Sequence, residues 1–116
     1  MAELTVYEKR TCSTCRSLVK LLEERGIPFD RVDYMIDPIP RAKLVELVAK
    51  MGGRPRDLLR ARDAAALELA VPVEDMSDDE VFDLLAVRPE LVQRPIVERG
   101  DRAVVARPVE RVETIL

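Results

Sequence analysis

Thr11-Cys12-Ser13-Thr14-Cys15-Arg16 is the stretch from which the rest of this chain is read. It follows the short apolar run Leu4-Thr5-Val6-Tyr7 and precedes Leu18, Val19, Leu21 and Leu22, which are spaced for one helix face. The stretch is therefore read as the turn between a first strand, 3–7, and a first helix, 13–25, with Gly26 as its C-terminal cap. Both cysteines of the 116-residue chain lie in this turn. Positions i and i+3 of a helix share a face, so the two sulfurs are expected to meet. Cys12 falls at or just before the first helical turn, where unpaired backbone N–H groups favour an anion. A thiolate is such an anion, and Arg16 adds positive charge one turn on. These conditions lower a cysteine pKa and make the sulfur a nucleophile.

Two other readings of the cysteines exist. A cysteine is often a buried small hydrophobe with no chemistry, and a pair can be half of a zinc site. The chain has no histidine and no third cysteine, so only carboxylates could complete a zinc site, and no metal is expected. For a Cys-x-x-Cys at a strand-to-helix turn, redox or nucleophilic chemistry is the stronger reading. Without histidine the commonest general base near neutral pH is absent, and chemistry must rest on thiolates, cations and backbone N–H groups.

The totals describe a globular chain with one core: 47% hydrophobic, 35% charged, and only 3% aromatic, which leaves the core to Leu, Val, Ile and Ala. The net charge of −3 gives no support to direct nucleic-acid binding. No apolar run approaches membrane-spanning length, and no signal peptide is evident, so the cytoplasm is the expected compartment. There a close cysteine pair is more often catalytic or redox-sensing than a structural staple.

Further along, Phe29–Asp33 reads as a second strand, parallel to the first through a right-handed crossover. Pro38 and Pro40 mark a break. Leu44, Leu47, Val48 and Met51 follow a helical repeat over 41–51. Pro55 opens a turn through Leu58-Leu59, and Asp63 is read as the cap of a short helix around 64–69. Ser77-Asp78-Asp79-Glu80 is a capping box opening a helix that stops before Pro89. Pro95-Ile96-Val97-Glu98 and Ala103-Val104-Val105 read as a hairpin turning at Gly100-Asp101. Pro108 then starts a last helix with Val109, Val112 and Ile115 or Leu116 inward. The expectation is one domain, 1–116, of α/β class. Its plan is thioredoxin-like: a small mixed four-stranded sheet, with an all-helical insertion at about 40–90 between βαβ and ββα halves.

In four places the chain resembles the ArsC/Spx family of glutaredoxin-linked arsenate reductases and the thiol-stress regulator Spx. These are Cys12 with Arg16; Met51-Gly52 followed by Leu58-Leu59-Arg60; Gln93-Arg94-Pro95-Ile96-Val97; and Ala106-Arg107-Pro108. The resemblance implies that Cys12 attacks the arsenic of arsenate while Arg60, Arg94 and Arg107 bind the oxyanion. Arg54, Arg56 and Arg62 stand close enough to take the part of Arg60. It also implies a cis Arg94–Pro95 peptide beside the active cysteine, no bound cofactor, and glutathione/glutaredoxin or thioredoxin as external reductant. A monomer is expected.

Departures from the reductase pattern set up a second reading. Glu8, Arg10 and Cys15 stand where the reductases carry histidine, proline and serine. Cys15 is an in-chain resolving thiol of the Spx kind. The alternative function is therefore a redox-sensing regulator that binds RNA polymerase at the C-terminal domain of its α-subunit. Gly52 falls near the glycine used for that contact, although Gly52-Gly53 is equally a helix stop. Glu8, four residues before the nucleophile, is expected to place like charge at the pocket mouth and raise the Cys12 pKa. The competing reading has Glu8 turned away and paired with Lys9, Arg10 or another nearby cation.

Overall fold

The computed structural model describes residues 2–116 and divides into two compact units, residues 2–37 with 94–116, and Pro38–Gln93. The first holds β1 (Leu4–Glu8), α1 (Ser13–Glu24), β2 (Phe29–Asp33), β3 (Ile96–Arg99) and β4 (Arg102–Val105). Its four strands lie in the order β2-β1-β3-β4. β1 and β2 are parallel, from Leu4 opposite Phe29 to Glu8 opposite Asp33. β3 runs antiparallel to β1, with Val6 opposite Val97, and β4 runs antiparallel to β3. This mixed sheet, entered by βαβ and closed by a hairpin, is thioredoxin-like. Gly100, at φ +59°, takes the left-handed position in the hairpin turn.

Alternation along the strands builds the core. Leu4, Val6 and Val97 point to one face and pack with Leu18 and Leu22 of α1 and with Ala106, Val112 and Ile115. Cys15, Leu18, Val19 and Leu22 are the buried positions of α1, an i, i+3, i+4, i+7 stripe that seats the helix on the sheet. The helix stops at Gly26, φ +66°. The Gly26 N–H donates to the Glu23 carbonyl (3.1 Å) and the Ile27 N–H to the Leu22 carbonyl (3.0 Å). That pair of bonds is a Schellman closure, and its left-handed residue is nearly always glycine.

The last segment, expected as an α-helix, is a 3₁₀ helix over Val109–Thr114. Val109, Val112 and Ile115 recur every three residues, which is one 3₁₀ turn, and Val112 and Ile115 are buried. A strict spacing of three does not hold one face of a 3.6-residue helix.

The second unit is helical. It contains α2 (Arg41–Met51), α3 (Ala61–Ala65) and α4 (Asp78–Val87), with 3₁₀ turns at Pro55–Leu58, Val73–Asp75 and Pro89–Leu91. Leu44, Leu47 and Val48 of α2 and Val81, Phe82 and Leu85 of α4 are buried. Arg41 of α2 donates to Asp83 of α4 (2.7 Å) and to Asp79 (3.2 Å). The capping box at Ser77 is complete: the Glu80 N–H donates to Ser77 Oγ (3.2 Å) and the Ser77 N–H to Glu80 Oε1 (3.0 Å).

α3 corrects the expected helix at 64–69. It starts at Ala61, with Arg60 as its cap and Asp63 inside its first turn. Asp63 is past the cap position, and its carboxylate accepts from Arg60 Nε (2.7 Å), while the Arg60 N–H is tied to the Leu91 carbonyl (2.8 Å). Leu59 and Val92 form an isolated antiparallel bridge there. Among the described residues no helix is long and apolar enough to cross a membrane.

Candidate active site around Cys12

The loop after β1 is pinned by the Cys12 N–H, which donates to the Lys9 carbonyl at 2.9 Å. This makes Cys12 the N-cap of α1, in extended conformation, with its sulfur accepting from the Cys15 N–H at 3.4 Å. The position usually belongs to Ser, Thr, Asp or Asn, whose oxygen takes an orphan N–H. Here a sulfur takes it, and the acceptor is best when charged. Cys12 is half-buried, Cys15 is fully buried, and both are free thiols.

Their acidities diverge. Burial pushes the Cys12 thiol up. Hydrogen bonds from the Cys15 backbone, the Cys15 thiol and the Thr14 backbone, together with the Arg94 charge, outweigh burial and bring it below its ordinary value. Burial pushes Cys15 up to about 12; the Lys9 backbone opposes this, while the nearby Cys12 sulfur and the Glu8 charge add to it. Cys12 is thus the more acidic thiol of the two, and Cys15 the neighbour that keeps its proton.

Arg94 comes to this sulfur from the far half of the chain, and Arg107 comes from there to Thr14, next to Cys15. Arg94, only 9% exposed, precedes β3 across a cis peptide to Pro95; a second cis peptide joins Arg107 to Pro108. The two segments are laced together by the Ala106 N–H, which donates to the Pro95 carbonyl at 2.9 Å. Arg94 Nη1 donates to the Tyr34 hydroxyl at 3.5 Å, and the guanidinium also hydrogen-bonds the Cys12 sulfur. Arg107 Nη1 donates to Thr14 Oγ1 (3.2 Å) and to the Arg94 carbonyl (3.5 Å). The Cys12 sulfur, its neighbouring thiol and two arginines therefore stand in one unit. Such a set can take up a small oxyanion next to a reactive sulfur.

Arg16 is exposed, and the guanidinium whose charge lowers the Cys12 pKa is that of Arg94. Arg60 belongs to the helical unit, where it bonds Asp63 and donates from Nη1 to Gln93 Oε1 (3.3 Å). Two residues of the site escaped sequence reasoning. Thr14 lay inside the quoted motif without a part assigned to it. Tyr34, fully buried after β2, is one of only two tyrosines in a chain of few aromatics. That scarcity was the available signal, since a buried Tyr hydroxyl needs a partner.

Glu8 corrects an expectation. Its carboxylate is 1% exposed and accepts two hydrogen bonds from Arg31, Nε at 2.5 Å and Nη2 at 3.1 Å. It does not lie at a pocket mouth, and the net shift of Cys12 is downward, not upward. The cation it found sits on the neighbouring strand: the parallel register sets Arg31 opposite Val6, two residues from Glu8. Arg10, a partner considered for Glu8, approaches Asp33 instead (3.6 Å).

The ArsC family profile matches residues 7–115. A chain named arsenate reductase from Neisseria meningitidis serogroup A is 32% identical over 117 residues, covering all of both chains. One from Escherichia coli K12 is 32% identical over 116 residues, covering this whole chain and 82% of its own. A solved structure titled arsenate reductase from Vibrio cholerae superposes with a TM-score of 0.89 at 31% identity, over 97% of each chain. A family match along nearly the whole length and a fold shared with these relatives lead to one conclusion: the chain belongs to the ArsC family.

Proposed function

We propose that this protein is a thiol-dependent oxidoreductase of arsenate-reductase type. The observation that carries the reading is the acidic Cys12 at the start of α1 with the Arg94 guanidinium on its sulfur. The name of the relatives supports arsenate as the substrate.

Arsenate near neutral pH is largely a tetrahedral dianion, and a thiolate meets it only where cations neutralise the oxyanion first. Arg94 and Arg107 supply planar forks that never lose their protons. Arg60 is assigned to the same task by its motif position alone, and Arg16 adds positive charge within α1. The Cys12 sulfur attacks arsenic, forming an S–As(V) bond, as one arsenate oxygen breaks from arsenic with the proton it carries, takes a second proton from solvent and leaves as water. A second thiol then attacks the Cys12 sulfur. The S–As bond breaks and its electron pair stays on arsenic, which leaves as arsenite carrying the thiol proton. A disulfide remains. Cys15, hydrogen-bonded to Cys12, is the thiol in place for this step; an external thiol such as glutathione is the other route. Glutaredoxin or thioredoxin restores the reduced pair.

The test is arsenite production from arsenate by pure protein supplied with glutathione/glutaredoxin or with thioredoxin and its reductase. Turnover that disappears in Cys12→Ser supports the reading, and no arsenite with either reductant overturns it. The contact of Cys15 with Cys12 favours a second reading, a redox switch of the Spx kind acting on RNA polymerase. Reversible closure of the pair under peroxide, without arsenite production, would select it.

A further inference from the structure

Thr14 lies between the two cysteines and has two contacts that face in different directions. Its backbone N–H is one of the groups that lower the pKa of the Cys12 thiol. Its side-chain hydroxyl accepts from Arg107 Nη1 at 3.2 Å, the shorter of the two bonds made by that nitrogen. Arg107 is exposed and lies in the segment after β4, where these two bonds are the hydrogen bonds of its side chain among the described residues. A solvated arginine would lose its rotamer freedom on meeting an anion, at a cost to affinity.

We infer that Thr14 is a positioning residue for the oxyanion. Its hydroxyl, with the Arg94 carbonyl, fixes Nη1 of Arg107, so that the Nε–Nη2 edge of the guanidinium is the edge offered to the anion at Cys12. A guanidinium binds a tetrahedral oxyanion by two parallel N–H bonds from one edge. With Nη1 held by two oxygens, the Nε–Nη2 edge is the pair that stays together; among the described residues it makes no hydrogen bond. The single residue Thr14 thus couples nucleophile and anion clamp: its main chain serves the sulfur and its side chain serves the arginine. This inference rests on the oxyanion reading above and assigns within it a residue that touches neither arsenic nor the attacking sulfur through its side chain.

The two contacts separate by mutation. Thr14→Val keeps the N–H and the β-branched shape and removes only the hydroxyl; Thr14→Ser keeps the hydroxyl. The measurement is phosphate binding to the reduced full chain, read as protection of Cys12 from alkylation, together with the pH profile of alkylation without phosphate. In Thr14→Val, phosphate affinity should fall about three- to tenfold, the scale of one net hydrogen bond. The alkylation pH profile should stay as in wild type, because the N–H remains. Thr14→Ser should bind phosphate like wild type. In an Arg107→Ala background, Thr14→Val should add no further loss, since the two residues act as one unit. Wild-type affinity in Thr14→Val beside a weakened Arg107→Ala overturns the inference and leaves the oxyanion site standing. A shifted pH profile in Thr14→Val also overturns it, because the residue would then be structural. Unchanged affinity in both Arg94→Ala and Arg107→Ala removes the oxyanion site, and this inference with it.

Discussion

At the scale of single residues the site is a division of labour between two thiols three positions apart. Cys12 is held below its ordinary value and Cys15 is pushed up to about 12, so Cys12 is the thiol that ionises first as pH rises. The alkylating species is the thiolate, so each rate rises with pH until its own thiol is ionised. Iodoacetamide at pH 7 should label Cys12 at least about tenfold faster than Cys15, the effect of one pKa unit or more. The Cys12 rate should level off below the pH at which free cysteine does, while the Cys15 rate climbs through pH 9. Mass spectrometry of timed quenches reads both, and faster labelling of Cys15 would reverse the roles. Arg94→Ala should weaken phosphate binding by about ten- to a hundredfold, since a charge-assisted bond contributes roughly 1.5–3 kcal/mol. Arg94→Lys should recover only part of this, because an ammonium lacks the fork. Calorimetric titration of the reduced protein distinguishes these outcomes.

The elements explain why those residues can be where they are. α1 is anchored at both ends by its caps. Its start is closed by the Cys12 sulfur, and its end by Gly26 in a left-handed conformation with open space around the missing Cβ. Gly26→Ala therefore meets no clash, and its cost is the backbone alone, about 1 kcal/mol. Urea unfolding should show that loss while Cys12 alkylation keeps its rate, because the reactive end of the helix is far from the change. In the sheet, the pair Glu8–Arg31 joins β1 to β2 with the carboxylate buried and the arginine side chain 43% exposed. Arg31→Gln should destabilise by about 1–3 kcal/mol, below the full figure for a buried pair because water reaches one partner. The expected companion result is an unaltered Cys12 pH profile, since the Glu8 charge acts on Cys15. A denaturation midpoint equal to wild type would mean that the buried carboxylate is satisfied without Arg31.

For the molecule taken whole, the test is what oxidation does to the chain. The Cys15 thiol already donates to the Cys12 sulfur. A sulfenic acid formed on Cys12 should therefore condense with Cys15 inside the same chain. Mild peroxide should give a monomer with one internal disulfide, seen as a faster band on a non-reducing gel and as unreactive thiols. Cys15→Ser should instead accumulate sulfenic acid, a mixed disulfide or a cross-linked dimer. Dimers from the wild-type protein as the sole product would exclude the internal closure.

What could be read directly from the residues was local in origin. The strand-to-helix turn at Cys12, the Gly26 stop, the Ser77 capping box and the hairpin at Gly100-Asp101 each follow from a few neighbouring side chains and backbone torsions, and all are present. Two readings of short elements failed for reasons that are also local. Asp63 lies inside the first turn of its helix, with Arg60 at the cap position, and the last segment turned 3₁₀ because its apolar residues recur every three positions. The partners in the site belong to the tertiary structure alone. That Glu8 is neutralised by Arg31, that Arg94 reaches the Cys12 sulfur and the Tyr34 hydroxyl, and that Arg107 rests on Thr14 all depend on strand register and chain crossing. Residues 93 positions apart meet at Thr14 and Arg107. Charges in a chain can be counted from its letters, but which of 15 arginines faces a thiolate is decided by sheet register, where a slip of one residue turns every side chain to the other face.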